Sequence, residues 1–182
     1  MFGNRATQYV VFGGALAVLL LILGWRIFSG KRIPSPERLA GLALSDAPED
    51  RREQAALQLA RHPGQPLAQL RRVFQESQSP RVRAGAAIGL GLLRDWQSMP
   101  QLVEAMRDDS QLLRGRAAMA VNRIVAQDFG FRADAPAEQR RKVIELVELK
   151  WPRLHKGFLV KQRLIEAGEQ PKPIPKKRPP NT

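Results

Sequence analysis

The sequence predicts an all-α chain in three parts: an N-terminal transmembrane helix, a short α-solenoid of stacked helix pairs, and a basic, Pro/Lys-rich tail that is mostly disordered. Three observations predict it. A block of residues recurs at a 31-residue period between positions 46 and 121. Residues 9–25 carry no charge. Residues 171–180 interleave proline with lysine and arginine. The parts divide as 1–30 for the anchor, 31–155 for the repeat body and 156–182 for the tail.

The anchor is expected over residues 9–28. A helix of that length spans about 30 Å, the thickness of a bilayer core. Tyr9 and Trp25 fall where interfacial aromatics belong, and Arg26 is placed to snorkel toward the headgroups. A cleaved signal peptide would end in a small-x-small site, whereas here Trp25, Arg26, Ile27 and Phe28 follow. Arg5 precedes the span, and Arg26, Lys31, Arg32 and Arg38 follow it. That asymmetry places the repeat body on the cytoplasmic side of a single-pass protein.

In the body, Ala55-Ala56-Leu57 with Leu59, Ala86-Ala87-Ile88 with Leu90, and Ala117-Ala118-Met119 with Val121 occupy equivalent positions. A fixed period of this size signals helix pairs that bury their apolar faces by stacking. Between these blocks lie second helices, in which Leu39, Leu70 and Leu102 correspond. So do Leu42, Val73 and Ala105, and then Ala43, Phe74 and Met106. Spacing at i, i+3 and i+4 makes one apolar stripe per helix. The predicted helices are 36–44, 49–60, 66–76, 80–93, 98–107 and 111–126. A last helix is expected over 136–150, started by Asp134, Pro136 and Glu138 and ended by Pro152. Ser35 and Ser98 are the expected caps before Pro36 and Pro100, and Pro48 and Pro80 mark the entrances of first helices. Gly85, Gly89 and Gly91 inside a helix are read as sites of close helix approach.

These units resemble the HEAT-like repeat family, including the variety found in phycobilisome lyases. Residues 77–91 carry the resemblance best, through Pro80, Val82-Arg83, Ala86-Ala87, Leu90 and Gly91. The third unit keeps Asp108, Arg114 and Ala117-Ala118, and the first keeps Asp46, Arg52 and Ala55-Ala56. Ser77 stands where the pattern has aspartate, and Arg51 where it has valine. The resemblance covers residues 36–126 and implies a solenoid whose Asp and Arg residues form a ladder between units. Asp108 and Arg83 would pair across the stack. An arginine row that binds phosphate or carboxylate is the alternative reading of Arg52, Arg83 and Arg114.

Composition limits the chemistry. There is no cysteine, which removes disulfides, thiolate metal sites, cysteine nucleophiles and cysteine-linked lipid anchors. His62 and His155 are the only histidines, and neither has a carboxylate at helical spacing, so both are expected in solvent. No phosphate loop, dinucleotide fingerprint, zinc helix or nucleophile elbow is present. No catalytic residue, cofactor or metal site is expected. Trp96, Phe129, Phe131 and Arg132 are the candidate partner-binding residues, since aromatics and arginine are typical anchors. Covering the end of the core is the other reading of the aromatics, with Gly130 making the turn.

Net charge is +13, and residues 150–182 hold nine of the basic residues against two acids. Residues 156–165 suit a short basic amphipathic helix, docked on the last pair or on a membrane surface. Lys172, Lys176, Lys177 and Arg178 then lie in an extended stretch, attractive to anionic lipid or nucleic acid. The expected function is a membrane-anchored, non-catalytic scaffold that holds a protein partner. The alternatives are a lyase-like enzyme accessory, by fold analogy, and a membrane-tethered nucleic-acid or ribosome binder acting through the tail.

Overall fold

Small side chains at one register set the arrangement of the helices. The computed structural model describes residues 33–167. Its helices are α1 (Pro36–Ala43), α2 (Glu49–Ala60), α3 (Leu67–Glu76), α4 (Pro80–Leu92), α5 (Met99–Ala105), α6 (Gln111–Val125) and α7 (Ala137–Glu166), with a 3-10 turn over Trp96–Ser98 before α5. No strand occurs among the described residues. The first helices α2, α4 and α6 form one row, and α1, α3 and α5 pack beside them as the second helices. The last helix, α7, rests on α5 and α6.

The row is close because glycine and alanine meet at each crossing. A Cβ built on Gly85 would stand 3.0 Å from Ala56 Cβ, and one on Gly89 would stand 2.9 Å from Ala60 Cα and 2.7 Å from a methyl of Leu70. One on Gly91 would stand 2.7 Å from Ala120 Cα. Each helical glycine costs about 0.5–1 kcal/mol of helix propensity, which packing at these crossings offsets. The core between the two rows contains Leu59, Leu70, Leu90, Leu102, Leu113 and Val121, all fully buried.

Helix starts follow local chemistry. The Ser79 hydroxyl accepts from Val82 N and the Ser110 hydroxyl from Leu113 N, each at 3.4 Å, as helix N-caps. Ser98, expected as a cap, makes no cap bond. The 3-10 turn aims its hydroxyl instead at Asp95, to which it donates at 2.6 Å. Leu42 also departs from expectation. It is 40% exposed although its counterparts Val73 and Ala105 are buried. The reason is its place in α1, the first helix of the described stack, where no earlier unit among the described residues covers it.

Pro152 does not end the last helix, which runs 30 residues through it to Glu166. Proline removes one backbone donor and crowds the preceding turn, at a cost of about 3 kcal/mol. Contacts on both sides of it hold the helix together. Trp151 and Leu154 pack on the core. Beyond them, the Trp96 ring stacks on His155 at 5.0 Å and on Phe158 at 5.4 Å between centroids. His155 is thus half-buried between Trp96 and Trp151, contrary to the solvated position expected. Residues 156–166, the beginning of the expected tail, are helical.

Gly91→Ala destabilises the protein by about 1–3 kcal/mol, because the added methyl meets α6 backbone. Gly157→Ala, with nothing within 4 Å, stabilises it by up to about 1 kcal/mol; urea melts of the two variants check this. Trp96→Ala raises amide hydrogen exchange beyond Pro152 at least about tenfold and leaves the first turns of α7 protected.

Candidate partner-binding surface

α3 and α5 touch only marginally, and a groove of about 420 Å³ opens between them. Phe74, Gln75, Arg83, Pro100, Gln101 and Glu104 line it. Phe74 forms an apolar floor, buried by the stripe that the sequence predicted for α3. Arg83 comes from the first turn of α4 and lies over the Phe74 ring, 5.4 Å from its centroid. It donates to Asp108 Oδ2 at 3.1 Å, the cross-unit pair expected from the repeat. The rim therefore offers a partly committed cation, a carboxylate on Glu104 and an amide on Gln101 around an aromatic face. Such a mixture suits a peptide or side chain of a partner.

A second ion pair fixes the two sides of this groove. Arg71 of α3 reaches the α4–α5 connection, where its Nε donates to Asp95 Oδ2 at 2.7 Å and its second nitrogen to Oδ1. Asp95 is 4% exposed. Burial works to raise its pKa; the hydrogen bonds from Arg71 and Ser98, with the charge of Arg71, outweigh that and hold it below the ordinary carboxylate range. Sequence reasoning missed this pair. One period earlier the equivalent positions hold Ala40 and Gly64, so no repetition marks it.

The ladder is partial. Arg114 is satisfied within its own unit and the following loop, donating to the carbonyls of Asp108, Asp109 and Ala133. Asp46 is exposed, and neither its side chain nor that of Arg52 makes a hydrogen bond or ion pair. Those two residues thus depart from the expected ladder. The acids of the first turns of α2 bind the next unit instead, since Arg81 of α4 pairs with Glu53 and, at 3.0 Å, with Asp50.

The four candidate residues do not form one site. Trp96 is half-buried under α7. Phe129 lies in the core, and Gly130 turns the chain at φ +70 with its amide on Asp128. Phe131 lines a second, shallow cleft of about 590 Å³ with Leu112, Gly115, Arg116 and Met119 of α6. Arg132 is exposed and paired with Asp134 at 3.2 Å. The cleft exposes Leu112 and Met119, at 41% and 48%. Lys172, Lys176, Lys177 and Arg178 lie outside the described residues, as does the span expected over 9–28. Among the described residues no helix is long and apolar enough to cross a membrane, and no group of side chains is placed to hold a metal ion.

Fold and groove together define a short stack of helix pairs, part of which is similar to HEAT repeats. A family model described as HEAT repeats matches residues 67–129, the segment from α3 to the loop after α6. No curated protein and no solved structure matches the chain. HEAT repeats suggest a protein-interaction scaffold.

The Arg71–Asp95 pair yields a pH prediction. Asp95→Asn lowers stability by about 2 kcal/mol at neutral pH, because a charged hydrogen-bonded pair around a buried oxygen is lost. With its pKa depressed in the folded state, the carboxylate stabilises the fold above its unfolded pKa. That contribution disappears as the pH falls below about 4. Thermal melts of wild type and variant then converge in acid and separate at neutral pH.

Proposed function

We propose that this chain is a non-catalytic scaffold that holds a protein partner in the α3–α5 groove beside a membrane. The observation that carries the reading is the groove itself: an aromatic floor with a cation, an acid and an amide on its rim, between second helices of a repeat stack. The uncharged stretch at residues 9–25 supports a bilayer anchor, and the bases after it support a cytoplasmic body. The exposed Arg153, Lys156, Lys161 and Arg163 of α7 support an approach to anionic lipid headgroups.

Two measurements test it. A photo-crosslinking residue at Gln101 gives one discrete adduct in native membranes, whereas the same residue at Gln58, exposed on α2, gives none. Equal labelling at both positions, or none at either, removes the groove as the contact. Thr182→Cys supplies the only thiol. An impermeant maleimide labels it only after lysis if the body is cytoplasmic, and labelling of intact cells reverses the orientation.

A further inference from the structure

The three arginines that recur at the 31-residue period, Arg52, Arg83 and Arg114, end in three different states. Arg83 has a carboxylate and Arg114 has main-chain carbonyls. Arg52 is half-buried, its Nε is sheltered from solvent, and its side chain has no acceptor. A sheltered guanidinium nitrogen without a partner is costly, so the register around it matters.

The position that would serve Arg52, one period before Asp108, is Ser77. The two residues make the same local turn. Asp108 Oδ1 accepts from Ser110 N at 2.9 Å, and Ser77 Oγ accepts from Ser79 N at 3.3 Å. Aspartate has a second oxygen, and Asp108 uses it for Arg83. Serine has one oxygen on a shorter side chain; it accepts in the turn and makes no hydrogen bond with Arg52. The rung at Arg52 is therefore open for want of a single carboxylate oxygen.

The adjoining helix supplies no carboxylate to Arg52 either. Aligning Leu70 with Leu102 puts Arg72 in the register of Glu104. Where the groove beside Arg83 has two acids, Asp108 and Glu104, the repeat register assigns to Arg52 a serine, Ser77, and an arginine, Arg72, whose own carboxylate partner is Glu76 at 3.0 Å. We infer that the Arg52–Ser77 rung is a binding subsite for a carboxylate side chain on an acidic segment of the protein partner. The incoming carboxylate takes the place that Asp108 holds against Arg83. This deepens the scaffold reading and rests on it.

The test uses the full-length chain in detergent micelles and a fluorescein-labelled peptide of alternating Glu and Ala. Fluorescence anisotropy at physiological ionic strength reports binding. Arg52→Gln weakens it about tenfold, the loss expected for one charge-assisted hydrogen bond. Ser77→Asp, which builds the missing carboxylate into the chain, weakens it about as much while raising the melting temperature. Gln58→Glu adds the same charge on an exposed turn of α2 and leaves binding unchanged. Equal affinity for Ser77→Asp and wild type overturns the subsite. So does a Ser77-dependent response to inorganic phosphate or to a single-stranded oligonucleotide but not to the peptide. The Gln101 adduct is read separately: its persistence when the peptide result fails leaves the scaffold standing without this rung, and its loss removes the scaffold even where the peptide binds.

Discussion

Everything in the described stack depends on how closely α2, α4 and α6 approach one another. At these crossings backbone meets backbone across Gly85, Gly89 and Gly91, with Ala56, Ala60 and Ala120 opposite. An ordinary side chain at Gly89 or Gly91 would drive the helices apart. The distance set there is transmitted outward, because α3 and α5 each rest on this row. The placement of Phe74, Arg83 and Glu104 around one groove is thus a consequence of glycines that do not line it. Such a solenoid is a row of nearest-neighbour interfaces, and each interface determines the surface beside it.

Polar interactions then specify what close packing leaves undecided. The α3–α4–α5 corner is fixed by Arg71 and Asp95, whose carboxylate also receives the Ser98 hydroxyl. A buried pair of this kind adds little net stability but permits one arrangement of three elements, because any other leaves a charge unpaired in the interior. Arg81 joins α2 to α4 through an acidic entrance, and Arg107 joins α5 to α7 through Glu148 at 2.8 Å. The repeats are alike in their apolar positions and differ in these charged ones. Difference between units allows a scaffold to bind with specificity, since identical rungs would offer a partner several equivalent registers.

The groove was legible only in outline. The repeat placed Leu70, Val73 and Phe74 on the inner stripe of α3 and paired Arg83 with Asp108, and both hold in the structure. Nothing in the period marked Gln101 and Glu104 as rim residues, because the rim exists only where α3 and α5 stand apart except for a marginal contact. Trp96 and His155 are 59 positions apart, and their stack carries the last helix past Pro152. Local rules for proline count the lost donor and the crowded turn. They have no access to an aromatic ring arriving from another element.

The sequence by itself determined the helices, their order and their apolar faces, because these follow from the 31-residue period, the capping residues and spacing at i, i+3 and i+4. It also determined that certain glycines must sit at close approaches, since glycine inside a helix is unfavourable without a packing reason. Tertiary structure decided which arginines are satisfied. Arg52, Arg83 and Arg114 are the same letter at the same register, and their states differ by one oxygen on Ser77 or Asp108 and by the course of the loop that brings Ala133 to Arg114. A period in sequence repeats backbone geometry; hydrogen bonding depends on which atoms that geometry brings within about 3 Å.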